Sequence, residues 1–534
     1  MELSPSAHVD TFARDNLPPF DQWPELRFDL PELHYPDRLN CATALLDDVV
    51  AEHGADRPCV MSPTESWTYG ELLTRANQIA RVLVEDLGVV PGGRVLLRGP
   101  NNPWLVACWF GVLKAGGVVV TTMPLLRAGE IRTIGEMAQI GLALCDHRFV
   151  DDLTKAGLDS MRTVTYGGGD LDEMAAAKGG SFDDVVTAND DVALLAFTSG
   201  TTGKPKATMH FHRDVLAIAD TFSKHVLKPT PDDVFTGTPP LAFTFGLGGL
   251  VVFPLRVGAS TLLIEKATPD ELFDHVARHR VSVLFTAPTA YRAILPKLSG
   301  IDVSSLRRCV SAGETLPKPT WEAFHQATGI RIIDGIGATE LLHIFISAAD
   351  DDIRPGSTGK PVPGFTAAVL GPDLQPVPDG EIGRLAVKGP VGCRYLADER
   401  QLVYVQGGWN LTGDAYVRDS DGYFWFQARS DDMIISSGYN IAGPEVESAL
   451  MRHDDVMECG VVGAPDVDRG MVVAAFVVLR EGVPRTDETV KALQDFVKQE
   501  IAPYKYPRRI TFVDELPRTN TGKLQRFVLR EQVS

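Results

Sequence analysis

One nine-residue segment carries side chains suited to binding phosphate. Residues 198–206 read TSGTTGKPK, with two glycines, four hydroxyls and two lysines, and they follow the apolar run DVALLAF at 191–197. Glycine lets backbone N–H groups turn towards an anion, hydroxyls donate hydrogen bonds, and lysine adds positive charge. The segment therefore predicts a phosphate-binding loop at the end of a buried strand. The alternative is a flexible, solvated Gly/Thr turn.

The spacing within this loop excludes the common nucleotide-binding signatures. A P-loop needs four residues between its first glycine and its Gly-Lys pair, followed by Ser or Thr. Here two residues separate Gly200 from Gly203, and Pro205 follows Lys204. The chain also lacks a GxGxxG dinucleotide fingerprint and a GxSxG nucleophile elbow. The loop is therefore not a Walker A motif, and phosphate binding by it stays an expectation from its composition.

The elements that position this loop follow a βαβ rhythm. Short β-rich runs alternate with helical patterns near 102–115 and 128–137, which predicts an α/β fold with covered, mostly parallel sheets. The apolar stretch 241–264 contains Pro254, Arg256 and four glycines, and favours buried strands and turns over a membrane span. The predicted strands lie at 95–97, 118–122, 142–145 and 192–197, and in a second series at 261–264, 281–286, 308–311 and 330–333.

The later part of the chain predicts two smaller parts. From about residue 360, short strands punctuated by Gly and Pro indicate a small β subdomain. Strands at 434–436, 458–463 and 474–479 and helices at 444–451 and 489–501 then predict a separate α+β domain. We place the boundary near Asp431, which gives a large domain at 1–430 and a small one at 431–534.

Composition limits the partners and the compartment. The 534 residues carry 51 Lys and Arg against 70 Asp and Glu, a net charge of −19, which disfavours nucleic acid and anionic membrane as partners. Seven scattered cysteines without a CxxC pair indicate neither a zinc site nor a disulfide framework, so a reducing cytoplasm fits. The N-terminal residues do not show the basic region followed by an apolar region that is typical of a signal peptide, so none is expected.

Five motifs together make the function class specific. The loop TSGTTGKPK is followed by DGIGATE at 334–340, TGD at 412–414, RSD at 429–431 and PRTNTGK at 517–523. In order and spacing the chain resembles the acyl- and aryl-adenylating superfamily of acyl-CoA synthetases, nonribosomal adenylation domains and luciferases, over nearly its whole length. The resemblance implies an ATP-dependent acid–thiol ligase that makes an acyl-AMP and then a thioester.

The resemblance also implies roles for individual residues. Lys523, Thr339 and Glu340 are the expected catalytic residues: Lys523 bridges the carboxylate and the α-phosphate, Thr339 donates to the α-phosphate, and Glu340 holds Mg²⁺. Asp414 accepts from the ribose hydroxyls, with Arg429 beside it. The remaining expected ATP-binding residues are Thr198, Ser199, Gly200, Thr201, Thr202, Gly203, Lys204, Ala312, Gly313, Glu314, Asp334, Gly335 and Ile336. Many relatives have Tyr where this chain has Ile336, so apolar packing replaces ring stacking on adenine.

The second half-reaction needs a thiol to approach the acyl-AMP. By resemblance the small, mobile C-terminal domain rotates about a hinge at Asp431, which removes Lys523 from the site. Ser437, Gly438 and Tyr439 are then expected to line the pantetheine tunnel of coenzyme A. The alternative for this SGYN segment is a simple β-turn. The other motifs have similar alternatives: TGD alone is often a turn, RSDD is often a solvated linker, and a C-terminal TGK is often a frayed tail.

Within the superfamily the chain resembles the benzoate and 2-aminobenzoate (anthranilate) CoA ligases. The segments LAFTFGLG at 241–248 and DGIGATELLHIF at 334–345, and the N-terminal AHVDTFARDNLPP, carry this likeness. It implies a small aromatic acid as substrate, with flat apolar walls around the ring. The ring-binding residues carried over are Thr244, Phe245, Gly337, His343 and Ile344. The alternatives are that His343 is a hydrogen-bonded core histidine and Thr244 a strand residue.

Four alternatives stay open at this point. Benzoate or another small aryl acid replaces 2-aminobenzoate as substrate, or a carrier protein replaces free CoA as acceptor. His210 and Asp214 fit the HxxxD pattern of acyltransferases, although Val215 stands where those enzymes usually have glycine. A non-catalytic sensor of AMP or acid is the fourth, disfavoured because Lys523, Glu340 and the loop are all present.

Overall fold

The computed structural model describes residues 3–199, 205–429, 432–436, 439–466, 469–501, 503–518, 522 and 524–533. The chain forms two compact units, one of residues 1–367 with 387–410 and the other of residues 368–386 with 411–534. Asp431 lies outside the described residues, and the domain boundary there stays a prediction. The mixed α/β architecture with parallel sheets and a separate C-terminal domain is as predicted.

The first unit contains a six-stranded sheet that carries the start of the glycine-rich loop. All neighbouring strands in it are parallel except the last pair, which is antiparallel. That pair joins Val192–Ser199 to Pro205–Phe211, so Thr198 and Lys206 lie on facing strands. The strand order is Arg162–Tyr166, Leu142–Asp146, Arg94–Arg98, Val118–Thr122, Val192–Ser199, Pro205–Phe211.

A nine-stranded sheet in the same unit carries the DGIGATE motif. Its central strands are parallel, and the edges add antiparallel pairs. Parallel strands buried on both faces need continuous apolar runs, and Val283–Thr286 is fully buried along its length. The strand order is Lys360–Pro361, Ile344–Ser347, Ile332–Gly337, Arg308–Ala312, Val283–Thr286, Val234–Gly237, Ser260–Leu263, Pro58–Met61, Ser66–Thr68.

Helices cover these sheets and their apolar faces form the cores. The α-helices of the first unit are Phe12–Asp15, Asp48–His53, Tyr69–Arg81, Pro103–Lys114, Ala128–Met137, Val150–Lys155, Asp170–Ala176, His212–Ile218, Thr244–Leu247, Phe253–Arg256, Pro269–Arg278, Pro288–Ile294, Lys318–Thr328 and Gln401–Tyr404. Wider π-helical turns lie at Thr43–Asp47, Val82–Asp86, Ala219–Leu227 and Gly248–Val252. Tighter 3₁₀ turns lie at Phe20–Gln22, Pro31–Leu33, His147–Phe149, Leu295–Gly300, Thr339–Leu341 and Asp350–Asp352.

The prediction of strands and turns for the whole of 241–264 is wrong. The segment from Thr244 to Arg256 is helical, and only Ser260–Leu263 is a strand. This helix is almost entirely buried, so its sequence shows no polar face and no helical period. Its glycines allow close packing: a Cβ at Gly249 would lie 2.6 Å from the ring of Phe285.

The small β region and the C-terminal region follow the prediction in outline. One sheet consists of Thr366–Leu370, Ile382–Lys388, Trp409–Arg418 and Val405–Gln406, with Phe424–Arg429 also paired to Trp409–Arg418. The C-terminal sheet consists of Tyr439–Ala442, Met433–Ser436, Gly470–Leu479 and Val456–Asp466, with Arg509–Phe512 paired to Gly470–Leu479. The accompanying helices are Gly443–Leu450, Asp487–Glu500 and Arg526–Glu531, with a 3₁₀ turn at Pro503–Lys505. Within the described residues, no helix has both the length and the apolar character to cross a membrane.

Candidate active site

Glu340 lies at the centre of a buried polar cluster. It sits in the 3₁₀ turn Thr339–Leu341, which follows the strand Ile332–Gly337, and is 6% exposed. Its Oε1 accepts a hydrogen bond from the Tyr395 hydroxyl at 2.5 Å and lies 2.7 Å from Lys206 Nζ. Burial acts to raise the pKa of Glu340, but the charge and hydrogen bond of Lys206, helped by Tyr395, hold it below its ordinary value. Glu340 is therefore a charged carboxylate.

Sequence reasoning missed Tyr395. Tyr395 lies 55 residues after Glu340 in the sequence, and its hydroxyl donates to the Glu340 carboxylate. The Lys206 ammonium donates to the Tyr395 hydroxyl and lies 4.6 Å from the centroid of the Tyr395 ring. The backbone brings the tyrosine close because residues 394–396 run beside the strand Pro205–Phe211, where Thr208 bridges to Tyr395. No local signal marks this tyrosine, since the contact is wholly tertiary.

Thr339 is held through its backbone by a buried histidine. His210 Nε2 lies 2.8 Å from the Thr339 carbonyl oxygen, and because a carbonyl only accepts, this ring nitrogen donates. His210 is fully buried, and its Nδ1 lies 3.8 Å from Asp214, which is paired with Arg394. Burial acts to raise the pKa of Asp214, but the Arg394 charge lowers it. A buried His210 that donates to a carbonyl gives no support to the acyltransferase alternative.

Two neighbouring strands bring the expected adenine-binding residues together. Ala312 pairs with Gly335 and Ser311 pairs with Asp334 in parallel register, and Ile336 follows half-buried. After Ala312 the chain turns at Gly313, which has a φ of +88°, and Glu314 follows half-buried. Burial raises the pKa of Asp334 to about 8, and its Oδ1 has no hydrogen-bond partner among the described residues.

Asp414 and Arg429 meet in the second unit. They are cross-strand partners, and Arg429 Nη1 donates to Asp414 Oδ1 at 2.9 Å and to the Thr412 carbonyl at 3.1 Å. The TGD motif thus lies within a strand and not in a turn, with Gly413 at a φ of +76°. The positive φ favours glycine at this position, and a Cβ there would lie 2.8 Å from Arg429 Nη2 and would displace the guanidinium from its place beside Asp414.

His343, one of the proposed ring-binding residues, lies among aromatic side chains that include the proposed Phe245. This histidine is 2% exposed, and its ring centroid lies 4.5 Å from Phe253, 5.5 Å from Phe222 and 5.6 Å from Phe245. Neither ring nitrogen forms a hydrogen bond of ordinary geometry among the described residues, although the backbone of Phe245 acts on the ring as a hydrogen-bond partner that works to raise its pKa. The alternative of a hydrogen-bonded core histidine therefore stays open. Burial lowers the pKa of His343 to about 3, which leaves the imidazole neutral.

Glycines and backbone geometry make room beside this imidazole. A Cβ at Gly248 would lie 2.3 Å from His343 Cδ2, and one at Gly337 would lie 2.8 Å from the His343 carbonyl oxygen. Gly337 pairs with Ile344 in the antiparallel register of the two strands. Leu342, just before the histidine, has a φ of +65°, a costly value for a branched residue that is often found at functional sites.

Thr244 is the first residue of the buried helix, directly before Phe245. It is half-buried and not in a strand, contrary to the alternative reading. The role of Thr244 in binding the acid stays a prediction.

Several expected site residues lie outside the described residues. Of Ser199 and Tyr439 the structure describes the backbone only: Ser199 ends its strand and Tyr439 pairs with Ser436. The roles of all of these stay predictions. The residues outside the description are Gly200, Thr201, Thr202, Gly203, Lys204, Asp431, Ser437, Gly438 and Lys523.

Known proteins resemble the chain over nearly its full length. Residues 46–395 match the AMP-binding enzyme family, and residues 445–523 match the AMP-binding enzyme C-terminal domain. Benzoate–CoA ligase of Thauera aromatica is 34% identical over 513 residues, which cover 94% of this chain and 97% of the ligase.

Two solved structures show the same fold. The anthranilate CoA ligase AuaEII in complex with anthranoyl-AMP is 34% identical, with a TM-score of 0.87, and the match covers 95% of this chain and 99% of that chain. A benzoate CoA ligase from Burkholderia xenovorans LB400 is 33% identical, with a TM-score of 0.83, and the match covers 92% of this chain and 100% of that chain.

Proposed function

Since the chain belongs to the AMP-binding enzyme family and is an acid–thiol ligase, we propose that it is an aryl-CoA ligase whose preferred acid is 2-aminobenzoate. The observation that carries this proposal is the neutral His343, which is buried among aromatic rings. A flat apolar site with few polar groups suits a small aromatic acid. The similarity to an anthranilate CoA ligase supports the same substrate.

The first half-reaction joins the acid to ATP. A carboxylate oxygen of the acid attacks the α-phosphorus, a new P–O bond forms, the bond to the β-phosphate oxygen breaks, and pyrophosphate leaves. Residues 198–206 surround the β- and γ-phosphates with hydroxyl, backbone and lysine donors. Thr339, whose backbone is fixed by His210, donates to the α-phosphate. Lys523 bridges the acid and the α-phosphate as negative charge builds between them.

The described residues fit a magnesium ion bound together with ATP. Among them, no group of three or more His, Cys, Asp or Glu side chains could hold a metal alone. Mg²⁺ in nucleotide sites is often held by one or two carboxylates together with phosphate oxygens and water. Glu340 is a single, buried and charged carboxylate beside Lys206 of the loop, and it would supply that ligand. When bound, the ion would neutralise charge on the phosphates.

The adenosine part of ATP has two sets of expected contacts. Ala312, Gly313, Glu314, Gly335 and Ile336 form an apolar and backbone surface for adenine. The unpartnered Oδ1 of Asp334 is available to a polar group of the base. Asp414, oriented by Arg429, accepts from the ribose hydroxyls.

The aryl ring lies against Phe245, Ile344 and the backbone at Gly337. The ortho amino group adds a hydrogen bond that benzoate lacks, with Thr244 or His343 as its partner. Such a bond contributes about 0.5–1.5 kcal/mol, so benzoate remains a weaker substrate. The alternative is that benzoate or another small aryl acid is the preferred substrate. The similarity to benzoate–CoA ligases favours this alternative.

The second half-reaction transfers the acyl group to coenzyme A. The thiol attacks the carbonyl carbon, a C–S bond forms, the bond to the phosphate oxygen breaks, and AMP and a proton are released. Rotation about Asp431 takes Lys523 away, and Ser437, Gly438 and Tyr439 then line the path of the pantetheine arm.

The experiment that tests this function compares two possible acceptors of the acyl group. The purified protein is given ATP, MgCl₂ and 2-aminobenzoate with either free CoA or a phosphopantetheinylated carrier protein, and the thioester and AMP are quantified by mass spectrometry. We expect 2-aminobenzoyl-CoA and AMP in equal amounts, and no loading of the carrier. Loading of the carrier without formation of the CoA thioester would show that a carrier protein, and not CoA, is the acceptor. Absence of AMP in both reactions would overturn the proposal.

A further inference from the structure

One oxygen of Glu340 is shared by two donors. Oε1 accepts from the Tyr395 hydroxyl at 2.5 Å and lies 2.7 Å from the Lys206 ammonium. Lys206 also donates to the Tyr395 hydroxyl oxygen, which closes a triangle of three groups. A hydroxyl has one proton to donate and lone pairs to accept with, so Tyr395 accepts from the lysine and donates to the carboxylate.

The two donors differ in how firmly they are held. The Lys206 ammonium ends a flexible four-carbon side chain that is 20% exposed, and Lys206 is the last residue of the predicted phosphate loop. Tyr395 is 1% exposed, and its backbone N–H donates to Gln401 Oε1 at 2.9 Å.

The neighbours of Tyr395 are tied to the strand Pro205–Phe211. Leu396 N donates to the Ala207 carbonyl at 2.9 Å and Met209 N to the Arg394 carbonyl at 2.8 Å. The tyrosine hydroxyl is therefore a fixed donor, whereas the lysine is a movable one.

We propose that Tyr395 is a positioning residue that holds the Glu340 carboxylate in place when Lys206 turns to the phosphates of ATP. This inference rests on the proposed function, in which Lys206 belongs to the loop that binds the phosphates. With the ammonium withdrawn, the tyrosine hydroxyl is the remaining side-chain donor to Oε1 among the described residues. Hydrogen bonds of this kind orient carboxylates that bind metals, and their loss typically costs about 10–100-fold in metal affinity.

The test measures cation binding directly. Tyr395→Phe keeps the ring and removes the hydroxyl. Binding of MnCl₂ is followed by electron paramagnetic resonance in the presence of saturating α,β-methylene-ATP, which cannot release pyrophosphate. We expect the Kd of Mn²⁺ to rise about 10–100-fold. In turnover assays the KM for Mg²⁺ should rise while the KM for 2-aminobenzoate changes less than about twofold.

A matched control separates positioning from stability. Tyr69→Phe removes another fully buried tyrosine hydroxyl, which donates to the Ala259 carbonyl at 2.6 Å, far along the chain from Glu340. We expect Tyr69→Phe to lower Tm without changing the Kd of Mn²⁺. If Tyr395→Phe also lowers Tm and leaves the Kd unchanged, Tyr395 is only a structural residue and the inference is overturned.

A second variant keeps the inference testable if Tyr395→Phe does not fold. Lys206→Met removes the movable donor and leaves the tyrosine in place. We expect Lys206→Met to weaken binding of the nucleotide analogue, because Lys206 belongs to the phosphate loop. At saturating analogue, its Kd for Mn²⁺ should rise clearly less than that of Glu340→Ala, since Tyr395 still holds Glu340; a rise as large as in Glu340→Ala would show that Lys206 holds the carboxylate and would overturn the inference. Failure of the proposed function is distinguishable, because it appears as absence of acid-dependent AMP formation in the unmodified protein.

Discussion

The ring of His343 meets the ring of Phe253 edge-on, with their centroids 4.5 Å apart. This contact places the imidazole in a buried aromatic environment where the charged form is disfavoured. Under the proposed function, this neutral imidazole is a candidate partner for a small substituent on the aromatic acid.

His343 makes the fold sensitive to acid. Its pKa is about 3 in the folded protein and about 6.5 in the unfolded chain, so between these values the unfolded state binds more protons. Stability is therefore lost as the pH falls below about 6.5, by about 2 kcal/mol from this group at pH 5. Replacing His343 with Phe should remove that loss.

The measurement compares Tm of wild type and His343→Phe at pH 7.5 and pH 5. We expect the difference in Tm, His343→Phe minus wild type, to be larger at pH 5 than at pH 7.5. Some acid sensitivity should persist, because burial also lowers the pKa of His212 to about 3. A difference in Tm that is the same at both pH values would show that His343 is not buried as a neutral group.

Thr244→Ala tests the hydrogen bond to the ortho amino group. We expect the ratio of kcat/KM for 2-aminobenzoate over benzoate to fall by about 2- to 10-fold, since one hydrogen bond is lost for only one of the acids. Thr133→Ala, in the helix Ala128–Met137, is the control. An unchanged ratio in Thr244→Ala would assign the selectivity to another residue.

Gly337→Val should close the ring site to both acids. The added Cβ would meet backbone atoms of His343 at 2.8 and 2.9 Å, and backbone cannot move aside as a flexible side chain can. We expect kcat/KM for 2-aminobenzoate and for benzoate to fall together by at least about 100-fold, as for other displacements of substrate from a reactive position. Gly129→Val is the control, because a Cβ there meets nothing within 4 Å. Full activity of Gly337→Val with either acid would place the ring elsewhere.

Lys523→Ala should separate the two half-reactions. The lysine is assigned to the charge that develops during adenylation, and loss of one such donor costs about 2.7–4 kcal/mol, or about 100-fold or more in rate. Thioester formation from chemically prepared 2-aminobenzoyl-AMP and CoA should be spared. An equal loss in both half-reactions would refute the assignment.

Asp431→Pro should have the opposite effect. Proline fixes φ and so restrains a hinge at this position. We expect pyrophosphate exchange to be nearly unchanged and CoA thioester formation to be blocked, while Asp431→Ala keeps both. A normal rate of CoA thioester formation in Asp431→Pro would show that Asp431 is not the hinge.

The sequence predicted the elements and motifs that depend on local pattern. Strands such as Arg94–Arg98 and Val118–Thr122 are apolar runs followed by amphipathic or capped helices, and they form as predicted. The buried helix from Thr244 to Arg256 was mistaken for strands because it is apolar on all sides and rich in glycine. Pattern alone cannot distinguish such a helix from a buried strand.

Residues that act through tertiary contacts were the ones missed. Tyr395 and the backbone contact of His210 to Thr339 join segments more than 50 residues apart, and no spacing in the sequence reports them. His210 was noticed for an HxxxD pattern, although its ring is buried and braces the turn beside Glu340. By contrast, Asp414 and Arg429 were assigned together, and they are cross-strand partners.

The preference for 2-aminobenzoate is the central claim, and a side-by-side kinetic assay tests it most directly. AMP formation is measured with ATP, MgCl₂ and CoA over a concentration series of 2-aminobenzoate, benzoate, 4-hydroxybenzoate, 4-hydroxycinnamate and an aliphatic acid. We predict the highest kcat/KM for 2-aminobenzoate, a value for benzoate lower by up to about tenfold, and much lower values for the others. A higher kcat/KM for benzoate than for 2-aminobenzoate would contradict the preference. A higher value for 4-hydroxybenzoate, 4-hydroxycinnamate or the aliphatic acid would also contradict the proposed ring site around His343.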